Sequence, residues 1–400
     1  MVIVHKYGGS SVASTEQIEK IANHIKELWL EDTKVVVVAS AMGKTTNNLI
    51  SLSGEITSSP NKRELDALLS TGETQTVSLL SIALTKLGVN SVSLTGFQAG
   101  IKTDNNFNHA FIQSIEVEKI QRYLDENKVV VVAGFQGINE NGDITTLGRG
   151  GSDTTAVAIA SALHSECEIY TDVDCIYTIN PAIYPNAKEL HQITFDEVME
   201  MAVGGAKVLE ARSVELAKKN NIKLYLGKTL VKDKTRGTYL VNNTFEDMPI
   251  TNLSFKDSVS ILSVTINSKD NHQSIVAKTF DLLKDQNLNL EMVSQISVNG
   301  TTFLSFAVPE PQTDEIVDLL NKNLSQDDIS LHIKRGLCKA ILVGVGFLTH
   351  KELVHSIFET LGENGIAFSH ISMSEISVTF TISPTQKEKT LNTLAQKFGL

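Results

Sequence analysis

The stretch Val2-Ile3-Val4-His5-Lys6-Tyr7-Gly8-Gly9-Ser10-Ser11 runs from an apolar segment directly into two glycines and two small hydroxyl residues. Val2–Lys6 predicts a buried strand. A strand that breaks into Gly-Gly-Ser-Ser offers several backbone N–H groups with little side chain in the way. When such a turn leads into a helix it forms a nest for phosphate oxygens. Lys6, just before it, can place a positive charge on those oxygens. The same residues fit an ordinary strand-to-helix turn with a solvated lysine equally well.

Working outward, strand-like and helix-like segments alternate over the first 240 or so residues, with α/β spacing. Further strands are expected at Lys34–Ala39, Ser91–Leu94, Val129–Ala133, Glu168–Thr171 and Lys223–Leu226. Helices are expected at Thr15–Leu30, Lys62–Leu87, Gln113–Glu126, Thr154–His164 and Glu210–Asn220. Val35–Val38 and Val129–Val132 are unbroken β-branched runs, which suit a sheet covered on both faces. The expected fold is therefore α/β, a central and mostly parallel sheet flanked by helices.

A polar stretch ending in proline, Asn242–Pro249, marks a boundary. Beyond it the chain repeats itself. One constant offset pairs Ile275 with Leu353, Phe280 with Phe358, Leu283 with Leu361, Leu288 with Ile366, Val293 with Ile371 and Ser294 with Ser372. Each copy reads strand, helix, strand, strand. Asn299-Gly300 is a hairpin signal in the first copy, and a tighter turn is expected in the second. The reading is a first domain over residues 1–243 and two α+β modules over 258–332 and 338–400. Duplication of this kind points to a binding or dimerisation module.

Composition narrows the function classes. With 400 residues, the chain is too long for one typical core. It is 42% hydrophobic, 20% charged and carries a formal charge of -11, with no basic run, so neither a nucleic-acid nor an anionic-membrane partner is expected. No apolar stretch approaches the ~20 residues that span a bilayer. The N-terminal segment is not a signal peptide, because its charge follows the apolar residues. Cys167, Cys175 and Cys338 show no CxxC spacing, so no disulfide framework or thiolate metal site is expected, and the location expected is cytoplasmic.

The second informative segment is Gly148-Arg149-Gly150-Gly151-Ser152-Asp153-Thr154-Thr155-Ala156. It is a glycine turn leading into a helix whose first turn is rich in capping residues. Capping does not account for Arg149, whose planar fork holds a carboxylate bidentately. Two glycine turns, one with Lys and one with Arg, suggest a phosphate site facing a carboxylate site. Like charges then meet at close range. At an effective dielectric near 20, each unit pair about 4 Å apart costs roughly 4 kcal/mol. Such a site needs Mg²⁺ and cationic side chains over the phosphates. Lys6 and Lys207 are the candidates. Asp153 fits either an orienting group for such a lysine or a plain helix cap. Gly43-Lys44-Thr45 is not the end of a P-loop, since Val38 stands where the first glycine belongs. Gly344-x-Gly346 lacks the third glycine of a dinucleotide fingerprint, which excludes a dehydrogenase site.

Taken together, these segments resemble the aspartokinases of the amino acid kinase superfamily. Lys6–Val12 is similar to the family's KFGGTSV, Ser40-Ala41-Met42-Gly43 to its SAMG turn and Ser70-Thr71-Gly72-Glu73 to its STGE. Gly148–Ala156 matches the family's most specific motif. Thr171–Pro181 resembles TDVDGVYTADP, and Gly205-Ala206-Lys207-Val208-Leu209 resembles GAKVL. The two C-terminal repeats resemble paired ACT modules, so the resemblance covers nearly the whole chain. It implies phosphorylation of the side-chain carboxylate of L-aspartate by MgATP. Lys6 and Asp153 would be catalytic. Lys6, Tyr7, Gly8, Gly9, Ser10, Ser40, Thr171, Asp172, Tyr177 and Lys207 would bind ATP. Thr45, Glu73, Arg149, Gly150, Gly151 and Ser152 would bind the substrate, with Glu73 on its ammonium and Arg149 on a carboxylate. No metal ligands are assigned. By itself Glu73 reads as a solvated helix residue.

The chain departs from the family pattern in places. Asn180-Pro181-Ala182 replaces Asp-Pro-Arg, Cys175 replaces a glycine, and Glu210-Ala211-Arg212 replaces His-Pro-Arg. Neither repeat carries the family's Pro-Gly turn. Lys269–Ser274 and Gly346–His350 stand in its place. Asp270, Ser274, Ile275 and Gln295 are the positions the resemblance implies for an effector, lysine or threonine, and a homodimer or homotetramer through the modules is expected. Two other readings stay open: a kinase for another small acid, such as glutamate or acetylglutamate, and a non-catalytic amino-acid sensor on the same fold.

Overall fold

The computed structural model describes residues 1–206, 208–244, 248–267, 272–284, 290–324 and 329–400, without the side chains of 348 and 349. The chain divides into two compact units. The first comprises Met1–Tyr177, Glu189–Val203 and Lys207–Phe245; the second comprises Thr178–Lys188, Gly204–Ala206 and Glu246–Leu400.

In the first unit the strands are β1 (Val2–Tyr7), β2 (Lys34–Ala39), β3 (Ser91–Leu94), β4 (Ile101–Thr103), β5 (Ile112–Ile115), β6 (Val129–Ala133) and β7 (Gln136–Ile138). They continue as β8 (Ile144–Thr146), β9 (Glu166–Thr171), β10 (Ile176–Tyr177), β11 (Glu189–Leu190), β12 (Gln192–Thr194), β13 (Leu224–Lys228) and β14 (Thr238–Val241). The helices are α1 (Thr15–Leu30), α2 (Thr45–Ile56), α3 (Lys62–Lys86), α4 (Glu118–Asp125), α5 (Gly151–Ala162), α6 (Phe195–Val203) and α7 (Ala211–Lys219). An eight-stranded sheet runs β12-β14-β13-β9-β1-β2-β6-β3, parallel throughout except for β13 against β14. A four-stranded sheet runs β5-β4-β7-β8, and β10 pairs with β11.

The expected parallel sheet is present, and its valine runs explain it. Val35–Val38 and Val129–Val132 are sealed from solvent, and each buried valine contributes about 1.5–3 kcal/mol. Helix α1 covers one face. Ser14 and Gln17 form a reciprocal capping box at its start. Ile18, Ile21, Ala22 and Ile25 make the buried stripe. Because β1, β2, β6 and β9 are parallel, their carboxyl ends lie along one sheet edge, where open α/β sheets bind ligands.

Several expectations are corrected. Gln113–Glu126 is not one helix. Ile112–Ile115 pairs with β4 as a strand, and the helix begins only at Glu118. Helix α5 starts three residues earlier than its Thr154 reading, because Gly150 at φ +68° turns the chain and Gly151 and Ser152 are already helical. It stops before His164, which sits at φ +50°. Helix α2, the four-stranded sheet and strands β10, β11, β12 and β14 are not indicated by the sequence reading.

The second unit holds β15 (Asn252–Ile266), α8 (His272–Leu283), β16 (Glu291–Val298), β17 (Thr301–Pro309), α9 (Thr313–Asn323) and β18 (Ile329–Val343). It ends with α10 (Gly346–Thr349), α11 (Glu352–Glu363), β19 (Phe368–Met373), β20 (Ser377–Ile382) and α12 (Lys387–Phe398). Its strands form one six-stranded sheet, β16-β17-β15-β18-β20-β19, in which the two repeats join through β15 and β18. The repeat pairs take equivalent places. Leu283 and Leu361 are buried, Phe280 and Phe358 flank the two cores, and Val293 and Ile371 are exposed on the outer strands. Leu288 lies outside the described residues. Asn299 and Gly300 take positive φ angles (51° and 83°), as a two-residue hairpin requires. The second hairpin is not tighter. It spends three residues, 374–376, between β19 and β20, and Ser374 N–H donates to Ser377 O at 2.9 Å.

Candidate active site

The cavity at the carboxyl ends of β1, β2 and β6 has a volume of about 230 Å³. It is lined by Lys6, Gly9, Ser40, Ala41, Gly43, Thr46, Glu73, Phe135 and the Gly148–Asp153 turn. Each wall has a local cause. Lys6 is the penultimate residue of β1 and is only 8% exposed. Its Nζ meets Asp153 Oδ1 at 2.7 Å. Asp153 occupies the first turn of α5, where a carboxylate is also favoured by the helix dipole.

The glycine turn after β1 does not enter a helix at once. Ser11 and Val12 N–H groups bond back to Gly8 O, and α1 begins only after Ser14. Gly9 is held by close approach. A Cβ there would lie 2.9 Å from Ala41 O, and Gly9 O accepts from Gly43 N at 3.0 Å. The Gly-Gly corner and the Ser40–Gly43 turn therefore interlock.

Glu73, on α3, is the main surprise. It is 3% exposed rather than solvated. Its Oε1 accepts the Ala41 N–H at 3.1 Å, while Oε2 is buried with no hydrogen-bond partner among the described residues. Burial pushes its pKa up to about 7, only partly opposed by main-chain hydrogen bonds. An orphaned carboxylate oxygen in a polar cavity is a receptor for a cation or a proton donor.

The same cavity is lined by the Gly148–Ser152 turn, which carries exposed Arg149. Gly150 and Gly151 let the main chain pass close to its neighbours. Thr155 Oγ1 donates to Gly151 O at 2.8 Å and accepts the Phe135 N–H at 3.0 Å, tying α5 to the end of β6. The cavity can thus hold an anion through Arg149 and a cation through Glu73.

Of the sequence candidates, Lys6, Gly9, Ser40, Glu73, Arg149, Gly150, Gly151, Ser152 and Asp153 share this cavity. The rest are placed differently. The ring of Tyr7 is fully buried and stacked on Tyr170, centroids 5.3 Å apart, so only its main chain faces the turn. Gly8 is buried, its N–H bonded to Tyr170 O at 3.1 Å, and Ser10 is exposed. Thr45 turns its hydroxyl back to Met42 O at 2.7 Å, and the next residue, Thr46, lines the cavity instead. Thr171 and Asp172 lie at the end of β9, and Tyr177 on β10. Thr229 links that end to the glycine corner, because its hydroxyl meets Ser11 Oγ at 2.5 Å and donates to Thr171 O at 3.0 Å. Ser274 and Ile275 lie in α8, Ser274 exposed and Ile275 against the core, and Gln295 is exposed on β16. Lys207 and Asp270 lie outside the described residues.

Sequence reasoning missed Thr46, Phe135, Asp66 and Glu210. Asp66, fully buried on α3, accepts from Asn108 N, Asn108 Nδ2, Thr146 N and Thr146 Oγ1 at 2.6–2.9 Å. It anchors the strand that feeds the Gly148 turn. A charged residue five positions after a helix N-cap carries no mark of such a role.

A fold that sets a lysine–aspartate pair and glycine turns at the carboxyl edge of a parallel sheet belongs to a known class. The profile of the amino acid kinase family matches residues 1–228, and an ACT domain profile matches residues 341–398. The aspartokinase of Bacillus sp. (strain MGA3) is 41% identical over 405 residues, covering 100% of this chain and 97% of that protein. Aspartokinase III of E. coli in complex with aspartate and ADP (R-state) superposes with a TM-score of 0.81, at 22% identity and with full coverage of both chains. The same enzyme with lysine and aspartate (T-state) gives a TM-score of 0.76, at 22% identity and 99% coverage of each chain. The chain belongs to the aspartokinase family, amino acid kinases with C-terminal ACT modules. It is an enzyme, a phosphotransferase with a carboxyl group as acceptor. No described helix is long and apolar enough to cross a membrane.

Proposed function

We propose that the cavity holds L-aspartate between Glu73 and Arg149 and presents its side-chain carboxylate to ATP bound over the Gly8–Ser10 corner. The observation that carries this is the sharing of one cavity by the Lys6–Asp153 pair, the orphaned Glu73 Oε2 and Arg149. An α-amino acid needs one anion and one cation from the protein, and Glu73 and Arg149 supply them. The aspartate oxygen attacks the γ-phosphorus, the bond from that phosphorus to the β–γ bridging oxygen breaks, and ADP leaves with the electron pair. Lys6 stabilises the charge on the phosphoryl oxygens during transfer, and Asp153 holds its ammonium in place. Ser40, Thr171, Asp172, Tyr177 and Lys207 complete the nucleotide side, and Ser152 and Thr45 the acceptor side. Mg²⁺ fits as a passenger of the nucleotide, held by phosphate oxygens and water, because the cavity carboxylates are engaged by Lys6 or aimed at the ammonium. When bound, it neutralises charge on the phosphates.

The product would be 4-phospho-L-aspartate, the first intermediate toward lysine, threonine and methionine, made in the cytoplasm. Buried, unpaired Cys167, Cys175 and Cys338 suit that compartment. A coupled ADP-release assay tests the reading. Aspartate should support turnover, and glutamate and acetylglutamate should not. Turnover with either of the others instead, or with none, would overturn it.

Residues 1–243 would form the catalytic domain, and 258–332 and 338–400 the regulatory modules. Feedback by lysine, threonine or both belongs to the same reading, as does assembly into a homodimer or homotetramer. Exposed Val293, Ile296 and Val298 on β16, with Ile371 and Met373 on β19, support such assembly. Initial rates at saturating lysine and threonine, alone and together, test the regulation, and unchanged rates would remove it.

A further inference from the structure

Glu210 lies in the chain just before α7, at the position normally given to a helix cap, yet its side chain caps nothing. It is turned instead onto the glycine turn. A Cβ on Gly150 would fall 2.4 Å from Glu210 Cβ, 2.7 Å from its Cγ and 3.0 Å from its Oε2. The carboxylate therefore sits on the main chain next to Arg149, half-buried, and in the electrostatic field of Arg149, Arg212 and Asp153. Arg212 is itself fixed, its guanidinium 4.3 Å from the centre of the Phe111 ring and 3.3 Å from Leu147 O. The aspartokinase pattern carries histidine where this chain has Glu210.

We propose that Glu210 is a positioning and affinity-setting residue for the amino-acid substrate: its negative charge beside Arg149 opposes the substrate carboxylates and raises the aspartate KM. The proposal rests on the reading of Arg149 as the carboxylate grip. Its physics is simple. L-aspartate enters with two carboxylates and one ammonium, so its net charge is negative. A fixed carboxylate that Gly150 brings against the Arg149 turn offsets part of the attraction of the guanidinium. The charged groups acting on Glu210 are Arg149 and Asp153 from the α5 side and Arg212 from α7, and Arg212 in turn feels Asp104 and Glu215. Lys6 is bound to Asp153, and Glu73 lies on the α3 wall of the cavity. Burial first, and then Asp153, raise the Glu210 pKa above its ordinary value. Its opposition to substrate is thus strongest at alkaline pH and fades as acid neutralises it.

The test is the aspartate KM of full-length wild type and Glu210→Gln, measured from about pH 5.5 to 8.5. Near pH 8 the Gln variant should bind aspartate with a KM lower by about threefold to tenfold, kcat changing less than KM. Taking the ratio of the two KM values at each pH cancels the titration of Glu73, and that ratio should not grow as pH falls. Glu210→His should match the Gln variant at pH 8 and show a lower KM than it near pH 6, where imidazolium replaces a neutral group. A KM that rises or stays the same in Glu210→Gln at pH 8 would overturn the proposal. Arg149→Lys separates the two readings. If it raises the aspartate KM while Glu210→Gln does nothing, only the role of Glu210 fails. If it has no effect, the assignment of the carboxylate grip fails.

Discussion

Lys6 Nζ stands 2.7 Å from Asp153 Oδ1, with both side chains nearly buried, so β1 and the first turn of α5 are joined by one ion pair in the lining of the cavity. A lysine held this way keeps a fixed ammonium without needing the substrate to order it. Its charge then acts on what develops in the transition state rather than on ground-state binding. Lys6→Ala should lower kcat by roughly 10²–10³-fold while the aspartate KM moves only about twofold to threefold. Asp153→Asn should lose less in kcat, because the ammonium remains but wanders. Steady-state rates with both substrates varied check this, and a loss of kcat/KM carried by a raised KM with kcat unchanged would refute it.

Glu73 makes the enzyme sensitive to pH in a definite direction. In the empty site its pKa is raised to about 7, so the acid is protonated below that and cannot pair with an ammonium. Aspartate binding should expel the proton. The kcat/KM for aspartate should therefore rise with pH through about 7 and level off above it, whereas Glu73→Gln should be weaker and flat. A carboxyl whose folded pKa lies above its unfolded one costs stability once pH exceeds the unfolded value. The Gln variant should thus melt higher than wild type at pH 8, the reverse of its effect on activity. Thermal melts and rate profiles in the same buffers decide the matter.

Glu73 also shows where sequence reading stops. The valine runs, the capping box at Ser14 and the glycine turns are local, and local physics is enough to read them. They give the parallel sheet, α1 and the two corners of the site. Arg149 is legible because an arginine among glycines has no structural use. Glu73 and Asp66 look like any charged residues on a helix. Their burial is decided by Ala41 and by Asn108 and Thr146, partners remote in sequence that the fold delivers. The strand at Ile112–Ile115 was lost for the same reason, since its pairing partner is Ile101–Thr103 and not its own periodicity. Tyr7 belongs to a motif that binds, yet its alternation along β1 sends the ring to the opposite face.

Asp66 should matter more than its ordinary appearance suggests. Its carboxylate accepts four hydrogen bonds, two of them from main-chain N–H groups, and is fully buried. Asp66→Asn keeps the shape but turns a donor toward donors, which should cost about 2–4 kcal/mol of stability. The loop it holds places His109 against Gly148, where a Cβ would come within 2.6 Å of the ring. The aspartate KM should therefore rise along with the loss of melting temperature, while the ATP KM holds. Denaturant unfolding and substrate-varied rates measure both. A stable variant with an unchanged KM would show that the loop is held by other means.

On the face of the sheet away from Lys6, Glu168 collects His5 Nε2 at 3.2 Å, Tyr170 OH at 2.6 Å and Lys234. Burial alone would raise its pKa, but the hydrogen bond and charge of His5, with Lys234 and Tyr170, hold it down at about 2. A folded pKa below the unfolded one contributes stability that is present above the unfolded value, near 4.5, and is lost as pH falls toward 2. Glu168→Gln should therefore lower the melting temperature clearly at pH 7, by an amount equivalent to about 3 kcal/mol or more, since the buried partners His5 and Tyr170 lose their carboxylate. The difference should narrow steadily below pH 4. Lys234→Met removes a half-exposed partner and should cost only about 1 kcal/mol. His5 pairs with Glu168 in register between β1 and β9, and Lys6 follows it directly in the chain. Loosening this network should thus reach the catalytic face through the β1 backbone. A Glu168→Gln enzyme as stable as wild type at pH 7, with the same acid midpoint, would show that the network is neutral and that burial of β1 alone fixes Lys6.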